Sequence, residues 1–305
     1  MSALHVIIGA GVLGRAIAAQ LLAQGQRVRI VTRSGAAQPG AEACRADVMQ
    51  PDQARSACSG AAVVYQCAAP AYHHWVRDFP RLQENVLEGA IDAGAVLVAA
   101  ENLYGYGVAG RLDETMPLCA ATRKGWTRAA MSSRLFEAHA RGEARVVSGR
   151  ASDFFGPGVH MSVLGERAWP PLLAGKPVDW FGDTDQPHSF TYLPDFARAL
   201  IRLGQEEQAW GRAWHVPTLP ALTPRQVLAK AAELAALPEP RLRRTPKWLM
   251  RALGLVIPAA GETVEMAYSY DAPFVMDDSD WRRHFGDRPT DWTAALQATL
   301  AYWTQ

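Results

Sequence analysis

Three glycines near the start of the chain, Gly9, Gly11 and Gly14, follow a short apolar run and open a helical pattern. Their G-x-G-x-x-G spacing gives each a separate role, with a tight turn at Gly9, close approach of a diphosphate to the backbone at Gly11, and close helix-on-strand packing at Gly14. The phosphates would meet the N–H groups that open the helix at Val12 and Leu13, where the positive end of the helix dipole favours negative charge. Roughly 20 residues further on, a carboxylate would bind the ribose hydroxyls of NAD. The chain offers Thr32, Arg33 and Ser34 there instead. An arginine in that place can clamp a 2′-phosphate through charge-assisted hydrogen bonds, so NADP is expected ahead of NAD. The alternative for Arg33 is a plain surface side chain.

Other reactive side chains cluster further along. Tyr72, His73, His74 and Trp75 follow a fourth apolar run. A histidine can exchange a proton near neutral pH, so His73 or His74 could serve as acid or base; the four residues could equally cover exposed sheet. A metal would require a third ligand, and Cys44, Cys58, Cys67 and Cys119 show neither close pairing nor nearby histidines, so no metal site and no disulfide framework are expected.

The elements that must position these groups read as alternating strands and helices. The first strand, loop and helix lead to the β-branched run after Gln26. A short strand near Ala43 to Asp47, a helix after Pro51, the strand AAVVYQCAA, a helix around Leu82 to Ala93, and the strand AVLVAA follow. A helix near Ala129 to Ala140 and the strand ARVVSGR complete the pattern. The expected fold class is α/β: a Rossmann-type doubly wound parallel sheet with a smaller, interleaved C-terminal substrate domain. Residues 1–150 form the expected dinucleotide-binding domain, and 151–305 a substrate-binding region, some segments of which return to the first domain. Trp169, Trp180 and Trp214 in that second half suit either a pocket for a flat or apolar substrate or a core. PKWLMRALGLVIP and DWTAALQATLAYW read as amphipathic helices.

Near-equal numbers of basic and acidic side chains, 31 and 30, give no global field for nucleic acid or an anionic membrane. No apolar stretch reaches the ~18 residues of a membrane span, and no leader pattern precedes the first strand. A cytoplasmic protein acting on a small molecule is expected.

With these pieces placed, the sequence resembles the short-chain dehydrogenase/reductase superfamily, in its extended or atypical branch of NAD(P)-dependent epimerases and dehydratases. The matching segments are the glycine loop, Asp47 with Val48, CAA at 67–69, Asn85, LYG at 103–105, ET-x-P at 114–117, FFGPG at 154–158 and HSFTYLPDFARAL at 188–200. The resemblance implies that Asp47 and Val48 flank an adenine, that Cys67, Ala68 and Ala69 back the cofactor ribose, and that Ala99 and Ala100 lie beside the nicotinamide. It places Ser152, Asp153 and Phe154 near nicotinamide and substrate, with His160 and Met161 on the outer wall. Tyr72, in the loop after the fourth strand, and Tyr106, in the loop after the nicotinamide-facing strand, are expected as further substrate contacts. The resemblance also suggests dimerisation through the helix around Thr127 to His139.

One departure from the family pattern bears on mechanism. The family's hydride chemistry uses a tyrosine, a lysine four residues later, and a serine. Here the segment PLCAATRKGWTRAAMSSRL contains no tyrosine. The tyrosine and lysine positions fall on Gly125 and Ala129, or one residue earlier on Lys124 and Arg128, and the serine position falls on Ala100. Three readings follow. The first is an NADP-dependent oxidoreductase acting on a small carbonyl-type substrate, with Tyr104 or Tyr106, and Tyr104 ahead, as proton donor and Lys124 or Arg128 as nearby positive charge. The second is a catalytically inactive NADP-binding sensor. The third is a nucleotide-sugar epimerase or dehydratase, against which the missing tyrosine weighs. His188 and Ser189 stand where sugar-nucleotide members commonly carry a basic residue, so a strongly anionic substrate is not expected.

Overall fold

The computed structural model describes residues 2–36, 38–253 and 264–305. Its strands are β1 (Leu4–Ile8), β2 (Arg27–Thr32), β3 (Glu42–Arg45), β4 (Val63–Gln66), β5 (Val96–Glu101), β6 (Gly110–Leu112), β7 (Arg145–Arg150), β8 (Asp153–Phe155), β9 (Val178–Phe181), β10 (Phe190–Tyr192), β11 (Ala213–His215), β12 (Leu242–Thr245) and β13 (Phe274–Met276). The helices that matter for the site are α1 (Val12–Ala23), α2 (Pro51–Cys58), α3 (Trp75–Asp92) and α4 (Arg123–Ala140).

Seven strands form the central sheet in the order β11-β7-β5-β4-β1-β2-β3. Every pairing from β7 across to β3 is parallel. β1 is buried at all five residues, as a central strand covered on both faces must be. The order reverses between β1 and β4, and at such a switch point the connections leave in opposite directions and open a crevice at the carboxyl ends of the strands.

Below the α2–α3–α4 layer, Val6 and Ile8 of β1, Val64 of β4 and Leu97 of β5 pack against Phe79, Leu82, Val86, Met131 and Leu135. This apolar face explains two differences from the sequence reading. The helix expected from Leu82 begins at Trp75, because its buried stripe of Phe79, Leu82 and Val86 runs straight across the exposed Pro80. The helix expected from Ala129 begins at Arg123, because Lys124 and Arg128 are buried one turn apart despite their charge.

The chain divides into two compact units. One comprises residues 1–105, 123–150 and 196–214; the other comprises 106–122, 151–195 and 215–305. The second contains three two-stranded parallel pairings, β8 with β10, β9 with β12, and β6 with β13. Its core joins Phe155, Trp169, Trp180 and Phe190 to Trp292 of the helix Trp292–Trp303. Trp169, Trp180 and Trp214 are at most 3% exposed, so all three are core residues and none lines an open pocket. Within PKWLMRALGLVIP the helix is Lys247–Leu253, and residues 254–258 lie outside the described residues.

Candidate cofactor and proton-transfer site

In the first unit, a cavity of about 550 Å³ opens at the β1–β4 switch point. Its floor is Gly9 and Gly11, one wall is Thr32, Arg33, Asp47 and Val48, and the other is Cys67, Ala68 and Ala69 with His74 and Asp78. Each wall is held by the strand ends. Thr32 Oγ1 bonds the carbonyl of Ala36 at 3.2 Å, which shapes the turn that carries Arg33. Asp47 Oδ1 accepts from the amide of Met49 at 3.1 Å, and the buried Asn85 donates to the carbonyl of Val48 at 2.9 Å, pinning the segment after β3 to α3. Arg33 is exposed and has no acidic partner among the described residues.

On the α3 wall, Arg77 grips Asp78 with two bonds of 2.6 and 2.8 Å. That hydrogen bonding is the main reason the Asp78 carboxyl is held below the usual carboxylate range. His74 Nδ1 lies 3.7 Å from the same carboxylate. Burial pushes the Cys67 thiol up to about 12, so it is an inert part of the wall.

A second group of side chains gathers at the carboxyl end of β5. Lys124, 1% exposed, places Nζ 4.4 Å from the centre of the Tyr72 ring. One turn later, the Arg128 guanidinium lies 4.8 Å from the Phe79 ring and donates to the carbonyl of Ala100 at 3.2 Å. Trp75 links the cluster to Tyr104, with ring centres 6.2 Å apart. Burial lowers the pKa of Arg128, and the charge of Glu101 opposes that effect. Glu101 is itself engaged by Arg150 at 3.0 Å and Ser132 at 3.2 Å. Arg128 therefore has no carboxylate in contact among the described residues, and Tyr104 is close enough to feel its charge. Gln66 Oε1 and Glu101 Oε1, at the ends of β4 and β5, are buried without a hydrogen-bond partner among the described residues.

Compared with known proteins, residues 5–216 match the NAD dependent epimerase/dehydratase family. The chain belongs to that family. No curated protein matches the chain in sequence. Among solved structures, the epimerase/dehydratase fold recurs in dTDP-glucose 4,6-dehydratase from Bacillus anthracis in complex with NAD, at 14% identity, TM-score 0.79, and 99% of this chain over 97% of that one. It recurs in UDP-glucuronic acid 4-epimerase from Bacillus cereus in complex with NAD, at 15% identity, TM-score 0.79 and 99% of both chains. UDP-glucose 4-epimerase from Thermotoga maritima, solved with UDP-glucose, gives 15% identity and TM-score 0.78, with 99% of this chain over 98% of that one. At these identities the likeness is one of fold.

The cavity suits the dinucleotide that gives the epimerase/dehydratase family its name. A Cβ at Gly14 would lie 2.0 Å from the Gly9 carbonyl oxygen, and Gly9 has φ +102° and abuts Ala68, so both glycines are required by the protein itself. Gly11 differs: its φ is −65°, and a Cβ there would meet no protein atom within 4 Å. Among the described residues nothing demands glycine at position 11, whereas a diphosphate lying on the backbone would. Gly11 also caps α1 with no side-chain hydrogen bond and no acidic residue in the first turn, which leaves the helix N–H groups open to an anion.

The other residues singled out in the sequence are placed variously. Val12 opens α1, Leu13 is buried in it, and Ser34 accepts from the Ala36 amide; none of them lines the cavity. Ala99 is core, and Ala100 holds Arg128 through its carbonyl. His73 stacks edge-on against His74, which alone of the two reaches the cavity. Tyr106, expected to meet substrate, is fully buried, and its hydroxyl lies 2.8 Å from Nε2 of His215 within the second unit. In the same unit Ser152 donates its amide to Thr191 and keeps a buried hydroxyl with no partner among the described residues. Phe154 is half-buried, His160 bonds Tyr302 at 3.1 Å, and Met161 is 92% exposed. Among the described residues no group of three or more His, Cys, Asp or Glu could hold a metal, and no helix is long and apolar enough to cross a membrane. Sequence reasoning missed Asp78 and the Glu101–Arg150–Ser132 network; the signal for the latter was a charge closing each of the apolar runs VLVAAE and RVVSGR.

Proposed function

We propose that this chain is an enzyme that takes the proton from a hydroxyl of a small substrate while the carbon bearing it exchanges hydrogen with a nicotinamide dinucleotide held in the first unit's cavity. The observation that carries the cofactor half is Gly11, a glycine that the protein's own packing does not require. When bound, the cofactor supplies the hydride acceptor or donor at that carbon. Arg33, exposed on the cavity wall and without an acidic partner among the described residues, supports NADP over NAD, since a guanidinium there matches a 2′-phosphate.

For the proton, the structure offers Tyr104 beside Arg128. Arg128 has no carboxylate in contact among the described residues, and a guanidinium beside a phenol lets that phenol act in proton transfer, so Tyr104 would accept the substrate proton and return it. Lys124, lying over Tyr72, adds positive charge one helical turn away. This pair stands in for the absent tyrosine and lysine of the family pattern.

Two fates of the substrate fit this chemistry. The family, and neighbours that are nucleotide-sugar dehydratases and epimerases, favour a polyol whose hydrogen is returned to it. One-way reduction of a carbonyl is the second reading, favoured by the half-exposed Tyr104, a single phenol that can deliver one proton. The two differ in whether reduced cofactor is consumed, which absorbance at 340 nm during a screen of sugars, aldehydes and ketones reports. Arg128→Gln should lower kcat and move the limb of the kcat/KM profile that Tyr104 governs to higher pH, the acidic limb when a hydroxyl is oxidised and the basic limb when a carbonyl is reduced, with cofactor affinity unchanged. An unmoved pH profile removes Tyr104 from the chemistry, and tight cofactor binding with no turnover in the wild type indicates a sensor instead.

A further inference from the structure

The two walls of the first unit's cavity carry unlike groups: Arg33 and Asp47 on one, His74 and Asp78 on the other, with Gly9 and Gly11 on the floor between them. His74 closes the short turn Tyr72–His74 and immediately precedes α3, and its amide donates to the Ala71 carbonyl at 2.7 Å. Its ring presents Nδ1 to Asp78, one helical turn on, at 3.7 Å, and the His73 ring stands edge-on to it with centres 4.1 Å apart. Nε2 has no hydrogen-bond partner among the described residues, and the side chain keeps 41% of its surface exposed.

Without His74 the lining holds one guanidinium, Arg33, against the two carboxylates of Asp47 and Asp78. Arg77, from outside the lining, is committed to Asp78 by its two hydrogen bonds, and Arg81 adds a weaker field at the same carboxylate. A diphosphate on the floor would thus meet helix N–H groups in a lining with more acid than base. Of the side-chain types on these walls only imidazole ordinarily changes charge near neutral pH, burial having pushed the Cys67 thiol up to about 12. An anion beside an imidazole favours its protonated form, and a carboxylate at the ring's other nitrogen favours it further while fixing the ring's orientation.

We infer that His74 is a binding residue for the diphosphate of the dinucleotide and that it takes up a proton from solvent as the dinucleotide enters, which makes cofactor affinity depend on pH. The wall opposite Arg33 assigns it to the diphosphate on the floor rather than to a ribose phosphate at Arg33. This rests on the cofactor half of the proposed function and adds a regulation of that same cavity. The charged ring is favoured in the complex, so the gain in affinity is complete at pH values below the titration of the free protein's imidazole and is lost as pH rises through that of the complex.

Calorimetric titration with whichever of NADP⁺ and NAD⁺ binds more tightly, run in two buffers of unlike ionisation heat, counts the protons taken up. At pH 7 the wild type should take up at least about 0.2 proton more per dinucleotide than His74→Gln, and its affinity advantage over that variant should grow at least about threefold from pH 8 to pH 6. His73→Gln, which changes the neighbouring imidazole outside the lining, should match the wild type. 2′-AMP, a ribose phosphate without a diphosphate, should show no difference between wild type and His74→Gln. The inference is overturned by equal proton counts in wild type and His74→Gln, by an affinity ratio that does not move with pH, by loss of the uptake in His73→Gln instead, or by His74-dependent uptake with 2′-AMP. In a protein that binds a dinucleotide, any of these removes this inference alone; a protein that binds neither dinucleotide removes the cofactor half of the proposed function with it.

Discussion

At the scale of single residues, the cavity proposed to hold the cofactor is defined as much by missing side chains as by those present. Gly9 and Gly14 are fixed by packing and Gly11 by the space it leaves, although all three look alike as letters in the sequence. Arg33 is the counterpart on the rim: a guanidinium with no acid to hold it among the described residues, on the wall where a ribose would lie. Arg33→Glu should therefore weaken NADP⁺ binding by at least about tenfold and leave NAD⁺ within about threefold, because only the former presents a dianion to the reversed charge. Calorimetric titration with NADP⁺ and NAD⁺ measures this, and equal losses for the two would place the selector elsewhere.

At the scale of elements, the site depends on how α3 and α4 lie over the strand ends. Asn85, in the second half of α3, reaches the carbonyl of Val48, so one buried amide ties the helix to the segment expected to face the adenine. Asn85→Ala leaves that carbonyl unsatisfied and should cost about 1–3 kcal/mol in urea unfolding, with a parallel loss of cofactor affinity. A stability loss without an affinity loss would show that the segment holds its shape unaided. The β1-loop-α1 unit and the order of strands and helices were legible in the sequence because apolar period and glycine spacing are local signals. The starts of α3 and α4 were not. Pro80 lies ahead of the expected start, yet it is exposed and the buried stripe passes it; Lys124 and Arg128, expected as positive charge near Tyr104, also belong to the buried face of the helix, where aromatic rings and the Ala100 carbonyl receive them. Tyr106 was misplaced for a related reason: its partner His215 lies 109 positions away and is invisible to any local pattern.

At the scale of the whole molecule, a chain with net charge +1 has no long-range field to gather a polyanion, so recognition falls to individually placed groups. The first compact unit carries the cavity proposed to hold the dinucleotide, with Tyr104 and Arg128. The proposed dinucleotide is the shared requirement of everything downstream, and the family membership and the open cradle at the β1–β4 switch point support it. The most direct test is isothermal titration of NADP⁺ and NAD⁺ into the wild type and into Gly11→Ala, with thermal unfolding recorded for both. The variant backbone needs no rearrangement at φ −65°, so its stability should stay within about 1 kcal/mol of wild type. Its affinity for the preferred dinucleotide should fall by about tenfold or more, since the added methyl occupies the space of the diphosphate. Wild-type protein that binds neither dinucleotide, or a folded Gly11→Ala variant that binds as tightly as wild type, would contradict the account.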